Sequence, residues 1–191
     1  MNTPAHLLIG AAVMGKKNQP RLIWAAMAGA LMPDFSLYLL AGVSLFILGI
    51  DPHVVFNQLY FSDAWQTVFA MDNSFILWGA GLAAALWWGK PLLVAFAGAG
   101  LIHLCLDFPL HHDDGRSHFW PISWWVFESP LSYWDIGHGA SWVAPLEGAL
   151  AAVAAIRLWL MDAGQRVKSA LVVLLMGELW ITWSWLFNFG Q

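Results

Sequence analysis

Four side chains set in apolar surroundings are the residues of this chain best suited to do chemistry: His6, Asp34, His103 and Asp107. In the run His103-Leu-Cys-Leu-Asp107 the imidazole and the carboxylate stand four residues apart, which on a helix places both on one face and lets them chelate a single ion. Asp34 follows Pro33, where a helix is expected to break because proline lacks an N–H and crowds the preceding turn. Gly29, just upstream, leaves room for another segment to come close. Imidazole nitrogens together with carboxylate oxygens suit a divalent metal, Zn2+ first, with manganese or iron as less favoured occupants. The sequence therefore predicts a metal site formed by His6, Asp34, His103 and Asp107.

The elements that must position these residues belong to a membrane. Of 191 residues 60% are hydrophobic and only 10% charged, with a mean hydropathy of +0.63, whereas a soluble domain carries roughly 25% charged residues. The 14 Trp and 12 Phe suit helix ends at the headgroup level, where amphipathic rings are favoured. Apolar runs extend over 22–50, 75–88, 92–106, 142–160 and 170–189. The run from Ala5 to Met14 is too short to cross about 30 Å of hydrocarbon, which takes roughly 20 helical residues. The reading is all-α: a polytopic transmembrane helix bundle of about five spans, with an N-terminal half-span and interfacial helices. Residues 1–191 form a single integral membrane domain, and 108–139 form a His- and Trp-rich interfacial stretch on its outer face.

Of the eight basic residues, Lys16, Lys17, Arg21, Lys90, Arg157, Arg166 and Lys168 fall in three loops expected to be cytoplasmic. The acidic loops between them, and the N-terminus, are then expected on the outer side, with Arg116 as the exception. No basic stretch precedes the first apolar run, so that segment is expected to be retained rather than cleaved. Counting at about 1.5 Å per residue from the nearest basic loop places His6, Asp34, His103, Glu147 and Glu178 at one level, roughly 15 to 20 Å above the cytoplasmic edge. Ionisable groups at that depth face the bundle interior. Glu147 and Glu178 can either orient the histidines from behind or hydrogen-bond between helices. Cys105, between Leu104 and Leu106, is read as a small buried hydrophobe.

A second polar cluster sits in the interfacial stretch: His111, His112, Asp113, Asp114 and His118, with Asp135 and His138 further on. These residue types suit a general base, a second metal site or a lid over a polar pocket. A solvated polar turn capping helices would use them as well. His112, Asp113 and His138 are the candidates for catalytic proton handling. The tryptophans at 120, 124, 125, 134 and 142 are read as an interfacial belt.

In these positions the chain resembles the YdjM-like group of predicted membrane-bound metal-dependent hydrolases. The likeness rests on Thr3 with His6, on the Leu-Met-Pro-Asp step ending at Asp34, and on His103-x-x-x-Asp107 followed by Phe119-Trp120-Pro121. It covers scattered points from the N-terminus to Pro121. The resemblance implies metal binding by these His and Asp positions and a kinship with zinc-dependent phospholipase C and P1-type nucleases, hence phosphoester hydrolysis. The chain departs from the family pattern after Asp34. There Ser36 stands in place of a second Asp, and no Gly-His-Arg-Gly-x-Thr-His-Ser-like segment occurs between Asp51 and Ser74.

The function expected is a membrane-embedded, metal-dependent hydrolase, phosphoesterase-like, acting on a lipid-like or phosphoester substrate. The alternative is a non-catalytic integral membrane subunit or assembly factor, with a membrane-protein partner packed on the small-residue faces at Gly79, Gly81, Gly98 and Gly100. A b-type haem between His6 and His103 is weakened by the nearby carboxylates, and a transporter by the lack of inverted repeats. Membrane lipids are expected partners, and no basic patch suggests nucleic acid. The expected location is the bacterial inner (cytoplasmic) membrane.

Overall fold

The computed structural model describes residues 1–189, and among them only helices and turns occur, with no strand. In chain order the helices are α1 (Thr3–Met14), α2 (Pro20–Gly42), a one-turn α3 (Pro52–Val54), α4 (Asp63–Asp72), α5 (Phe75–Trp87), α6 (Pro91–Asp107), α7 (Ala140–Leu160) and α8 (Gln165–Ser184). Four helical stretches are long and apolar enough to cross a membrane: Pro20–Ile47, Asp63–Trp87, Ala140–Leu160 and Gln165–Phe187. The run expected to be a further span is α6, whose 17 residues give a rod roughly 25 Å long. The second stretch is divided at Ser74, whose Oγ caps α5 by accepting from Leu77 N at 3.1 Å. Large apolar side chains such as Phe46, Trp87, Val173 and Trp180 point outward, as befits helices whose surroundings are as apolar as their core.

The half-span is the centre of the bundle. Helix α1 is packed by α2, α6, α7 and α8, and Ala5, His6, Leu8, Gly10, Ala11 and Ala12 are buried. A buried helix must still satisfy the backbone groups at both ends, and α7 does this for α1. Glu147 accepts from the backbone N–H of Asn2 at one end. Arg157 Nε donates to Ala12 O at 2.8 Å at the other. An anion at the N-terminus and a cation at the C-terminus also complement the helix dipole. Of the two roles open to Glu147 in the sequence, this contact supplies the helix-to-helix hydrogen bond.

Small residues let the helices around α1 approach closely. Gly10 faces Ala30 and Ala99, and a methyl group there would lie 3.0 and 3.3 Å from their Cβ atoms. At Gly29 a methyl would run into the backbone carbonyl of Phe96, so α2 and α6 touch main chain to main chain.

Two expectations are corrected, at Pro33 and at Cys105. Helix α2 continues through Pro33 instead of breaking there. The ring removes one donor, and the packing of α1, α4 and α6 against α2 holds the helix together across that gap. Cys105 is exposed, because its apolar neighbourhood is the outer face of α6 and not the core. Gly79 and Gly81 have open space where a side chain would be, while Gly98 and Gly100 meet Met14 and Trp78.

Between α6 and α7 the chain forms turns, with a 3-10 turn at Ile136–His138. Buried serines fasten this stretch: Ser129 Oγ donates to Pro109 O at 2.5 Å, and Ser132 N donates to His138 O at 2.8 Å. Arg116, buried, lies over the rings of Tyr60 at 4.8 Å and Phe69 at 4.6 Å. Trp124, Trp125, Trp134 and Trp142 are exposed.

Candidate metal centre

Helices α1, α2 and α6 bring the four predicted ligands to one place. His6 and His103 stack with ring centroids 3.6 Å apart and planes 14° from parallel. Asp107 lies beside them, with Oδ1 2.7 Å from His6 Nε2 and Oδ2 3.1 Å from His103 Nε2. Asp34 Oδ1 stands 3.7 Å from His103 Nε2. Among the described residues, His6, His103 and Asp107 form a group whose ligand atoms all lie within 4.8 Å of one another, and all three residues are buried. Asp34 is the outer member, its side chain 22% exposed.

The sequence builds this arrangement locally. Spacing of one helical turn stacks His103 above Asp107 on α6. Pro33 has no N–H to give to Gly29 O, and the next carbonyl along α2, Ala30 O, lies 2.7 Å from His103 Nδ1. A carbonyl can only accept, so Nδ1 carries the proton and Nε2 is the nitrogen left to face the carboxylates. This is the way a carbonyl behind a metal-binding histidine fixes its tautomer. Thr3, at the start of α1, donates to Asp34 Oδ2 at 2.6 Å, and its Oγ also lies 2.5 Å from the Tyr38 hydroxyl. The nitrogen of Met1 is 2.5 Å from Asp107 Oδ1.

A cation fits these residues. With Nδ1 on the Ala30 carbonyl, Nε2 of His103 faces the carboxylate oxygens of Asp107 and Asp34. Although Nε2 and Oδ2 are 3.1 Å apart, the pair lacks hydrogen-bond direction, and Nε2 has no hydrogen-bond partner. His6 Nδ1 is likewise buried without a partner. Unpaired buried acceptors cost free energy, and a metal ion at His103 Nε2 would remove that cost there. The donor set, two imidazoles with one or two carboxylates, is of a kind that divalent transition ions take.

The site continues into the turns above α6. His111 Nε2 is 3.4 Å from Asp107 Oδ2, and its Nδ1 is 2.9 Å from Asp114 Oδ1. Burial alone would lower the His111 pKa, but the carboxylates of Asp107 and Asp114 outweigh it and the pKa is raised. Burial pushes the Asp114 carboxyl up, while His111 and Arg116 more than reverse this and hold it below its ordinary range. His118 Nδ1 donates to Asn73 O at 2.8 Å, and burial lowers its pKa. Asp34, Asp107, His111, Arg116 and His118 line a small enclosed cavity. Its space for the centre of a water molecule is about 10 Å³, near what a single water needs.

Of the three candidates for proton handling, His112 and His138 form a separate pair with ring centroids 3.5 Å apart. Asp113 is exposed. No described contact joins any of the three to the metal-centre residues. The histidine at the centre is instead their neighbour His111, and adjacency in a turn gives no sequence signal to choose between the two. Thr3 and Tyr38 had no signal beyond the family likeness for Thr3. Glu178 is buried and neither carboxylate oxygen has a hydrogen-bond partner. Compared with known proteins, the chain matches no family model, no curated protein and no solved structure.

Proposed function

We propose that this chain is a metal-dependent hydrolase of the bacterial inner membrane that acts on a lipid-like or phosphoester substrate. In this reading zinc is held by His6, Asp34, His103 and Asp107. The observation that carries it is the buried group His6, His103 and Asp107, with its ligand atoms within 4.8 Å of one another and Nε2 of His103 turned toward carboxylates without a hydrogen-bond partner. The resemblance to YdjM-like hydrolases and the partition of basic residues between loops support the reaction class and the membrane. By the same partition, the N-terminus and the 108–139 stretch face the outer side.

The chemistry such an ion supplies when bound is polarisation of a phosphoryl oxygen and acidification of a water. The protein residues do the rest. Thr3 orients Asp34, and Ala30 O holds His103 in the ligating tautomer. His111, flanked by Asp114 on one nitrogen and facing Asp107 with the other, is placed to move a proton at the edge of the centre. The lipid-facing helices let an amphiphilic substrate arrive from the side.

Elemental analysis of detergent-purified protein tests this reading, together with hydrolysis of a phospholipid and of a chromogenic phosphodiester in mixed micelles. Stoichiometric zinc that His103→Ala removes, along with metal-dependent turnover, is the expected result. Tightly held stoichiometric zinc that survives His103→Ala would refute the assignment. Metal-free protein that co-purifies with a defined membrane complex would favour the non-catalytic subunit.

A further inference from the structure

Away from the metal centre, a groove runs between α2 and α8 with a cavity volume of about 510 Å³. Apart from Ser169 its lining is apolar, and it includes Leu7 of α1, Trp24, Met27 and Leu31 of α2, and Ala170 and Val173 of α8. Met27 is buried and Leu7 partly buried, so they form the floor, while Trp24 and Val173 are exposed at the rim. Small side chains keep the groove open, since Ala28 and Ser169 also line it and both are exposed. Helices α2 and α8 belong to stretches long and apolar enough to cross a membrane, so the groove opens sideways onto hydrocarbon.

One end of this groove is basic. The loop before α2 is tied to the loop before α8 by Asn18 N, which donates to Met161 O at 2.9 Å, so the two helices start side by side. Arg21 stands one turn before Trp24, and Arg166 one turn before Ser169 and Ala170, which puts each on the helix face that lines the groove. The Cα–Cβ bonds of a helix tilt toward its N-terminus, and this directs both arginines to the loop end, beyond the apolar walls. Asp162, the one carboxylate in the segments 15–22 and 161–168, is taken by Lys168 at 3.1 Å. Arg21 and Arg166 are exposed and have no ion partner among the described residues.

We propose that this groove holds one anionic phospholipid, its phosphate at Arg21 and Arg166 and an acyl chain along Met27, Leu31 and Val173. An apolar channel ending at two unpaired cations is complementary to a molecule with an apolar tail and an anionic head, and basic pockets between spans recognise lipid head groups in this way. Guanidinium groups suit the task because their planar forks pair with phosphate oxygens through two hydrogen bonds at once. A zwitterionic lipid brings its own cation beside the phosphate and is the poorer match. The bound lipid fills the gap between α2 and α8 and braces α1 from the side of Leu7, next to His6. This assignment rests on the membrane reading of the helices and is independent of the metal centre.

The test uses the full chain, purified in an uncharged detergent and freed of lipid, to which phosphatidylglycerol or phosphatidylcholine is added at equal mole fraction. Native mass spectrometry counts the lipid retained, and the melting temperature is read in parallel. Wild type should retain one phosphatidylglycerol and melt higher with it than with phosphatidylcholine. Arg21→Gln combined with Arg166→Gln, both at exposed positions, should weaken that lipid about 30-fold, roughly fivefold for each charge. Ala28→Trp keeps both cations but fills the groove, and should lose the retained lipid as well. Lys90→Gln, which removes a cation from another loop, should behave as wild type. Equal retention of the two lipids by wild type, or a preference that survives in the double arginine variant or in Ala28→Trp, would overturn the site. Inorganic phosphate that raises the melting temperature as far as phosphatidylglycerol does would overturn the lipid as occupant. A dimer that Ala28→Trp breaks up would do the same and assign the groove to a second copy of the chain.

Discussion

Substituting alanine for Gly29 tests whether the close approach of α2 and α6 assembles the metal centre. A Cβ at this position would lie 2.6 Å from the Phe96 carbonyl carbon and 2.8 Å from its Cα, both backbone atoms that cannot rotate aside. Restoring an ordinary contact of 3.4 Å to that carbon asks the helices to part by at least about 0.8 Å, and the carbonyl oxygen, nearer still, asks for more, because overpacked backbone has no softer response. The same displacement would stretch the bond from His103 Nδ1 to Ala30 O from 2.7 Å to roughly 3.5 Å, the point at which it ceases to be a hydrogen bond. Overpacking costs about 1–3 kcal/mol, and the lost bond adds about 0.5–1.5 kcal/mol. Freed from its carbonyl, His103 should bind metal about 10- to 100-fold more weakly. Thermal unfolding and zinc affinity of Gly29→Ala, measured beside Gly79→Ala, give the comparison. Gly79 has nothing within 4 Å of a new methyl, so that variant should match wild type in both assays. If Gly29→Ala also matched wild type, the helix contact would not be what positions His103.

Thr3→Val removes the donor to Asp34 Oδ2 and should lower zinc affinity by about 10-fold or more, read by competition with a chromogenic chelator; unchanged affinity would take Asp34 out of the site. Glu178→Leu replaces a buried carboxyl with no hydrogen-bond partner and should raise the unfolding midpoint, in line with the roughly 1–3 kcal/mol cost of an unsatisfied buried group; a lower midpoint would show that the carboxyl has a partner. Burial lowers the His118 pKa from 6.5, so below that pH the unfolded chain binds a proton that the folded chain refuses. The stability His118 contributes is therefore full above its ordinary pKa and declines as pH falls through it. Scanning the melting temperature from pH 8 to pH 5 should show a shallower acid limb for His118→Gln than for wild type, and identical limbs would contradict this.

Much of the centre was legible in the sequence because helix geometry is regular. The spacing of His103 and Asp107 fixes a shared face, and rise per residue carries His6 and Asp34 to the same depth. Depth says nothing of azimuth, so the distances could only come from packing: Asp107 lies beside both imidazoles, one oxygen toward each ring, while Asp34 stays 3.7 Å from His103. Pro33 was misjudged because proline's cost in an isolated helix ignores what neighbours restore. Cys105 was misjudged because an apolar stretch in lipid has two apolar sides. In the turns above α6 no period constrains direction, and the roles of His111 and His112 could not be told apart from their order.

Because the half-span is enclosed by α2, α6, α7 and α8, the centre has no walls until the chain has been made and inserted as far as α6, and no roof until the turns beyond it have closed. A nascent chain exposing only His6 and Asp34 presents an incomplete donor set. On the proposed reading an ion would be taken up late, so metal supply would act on an already inserted protein rather than on its insertion.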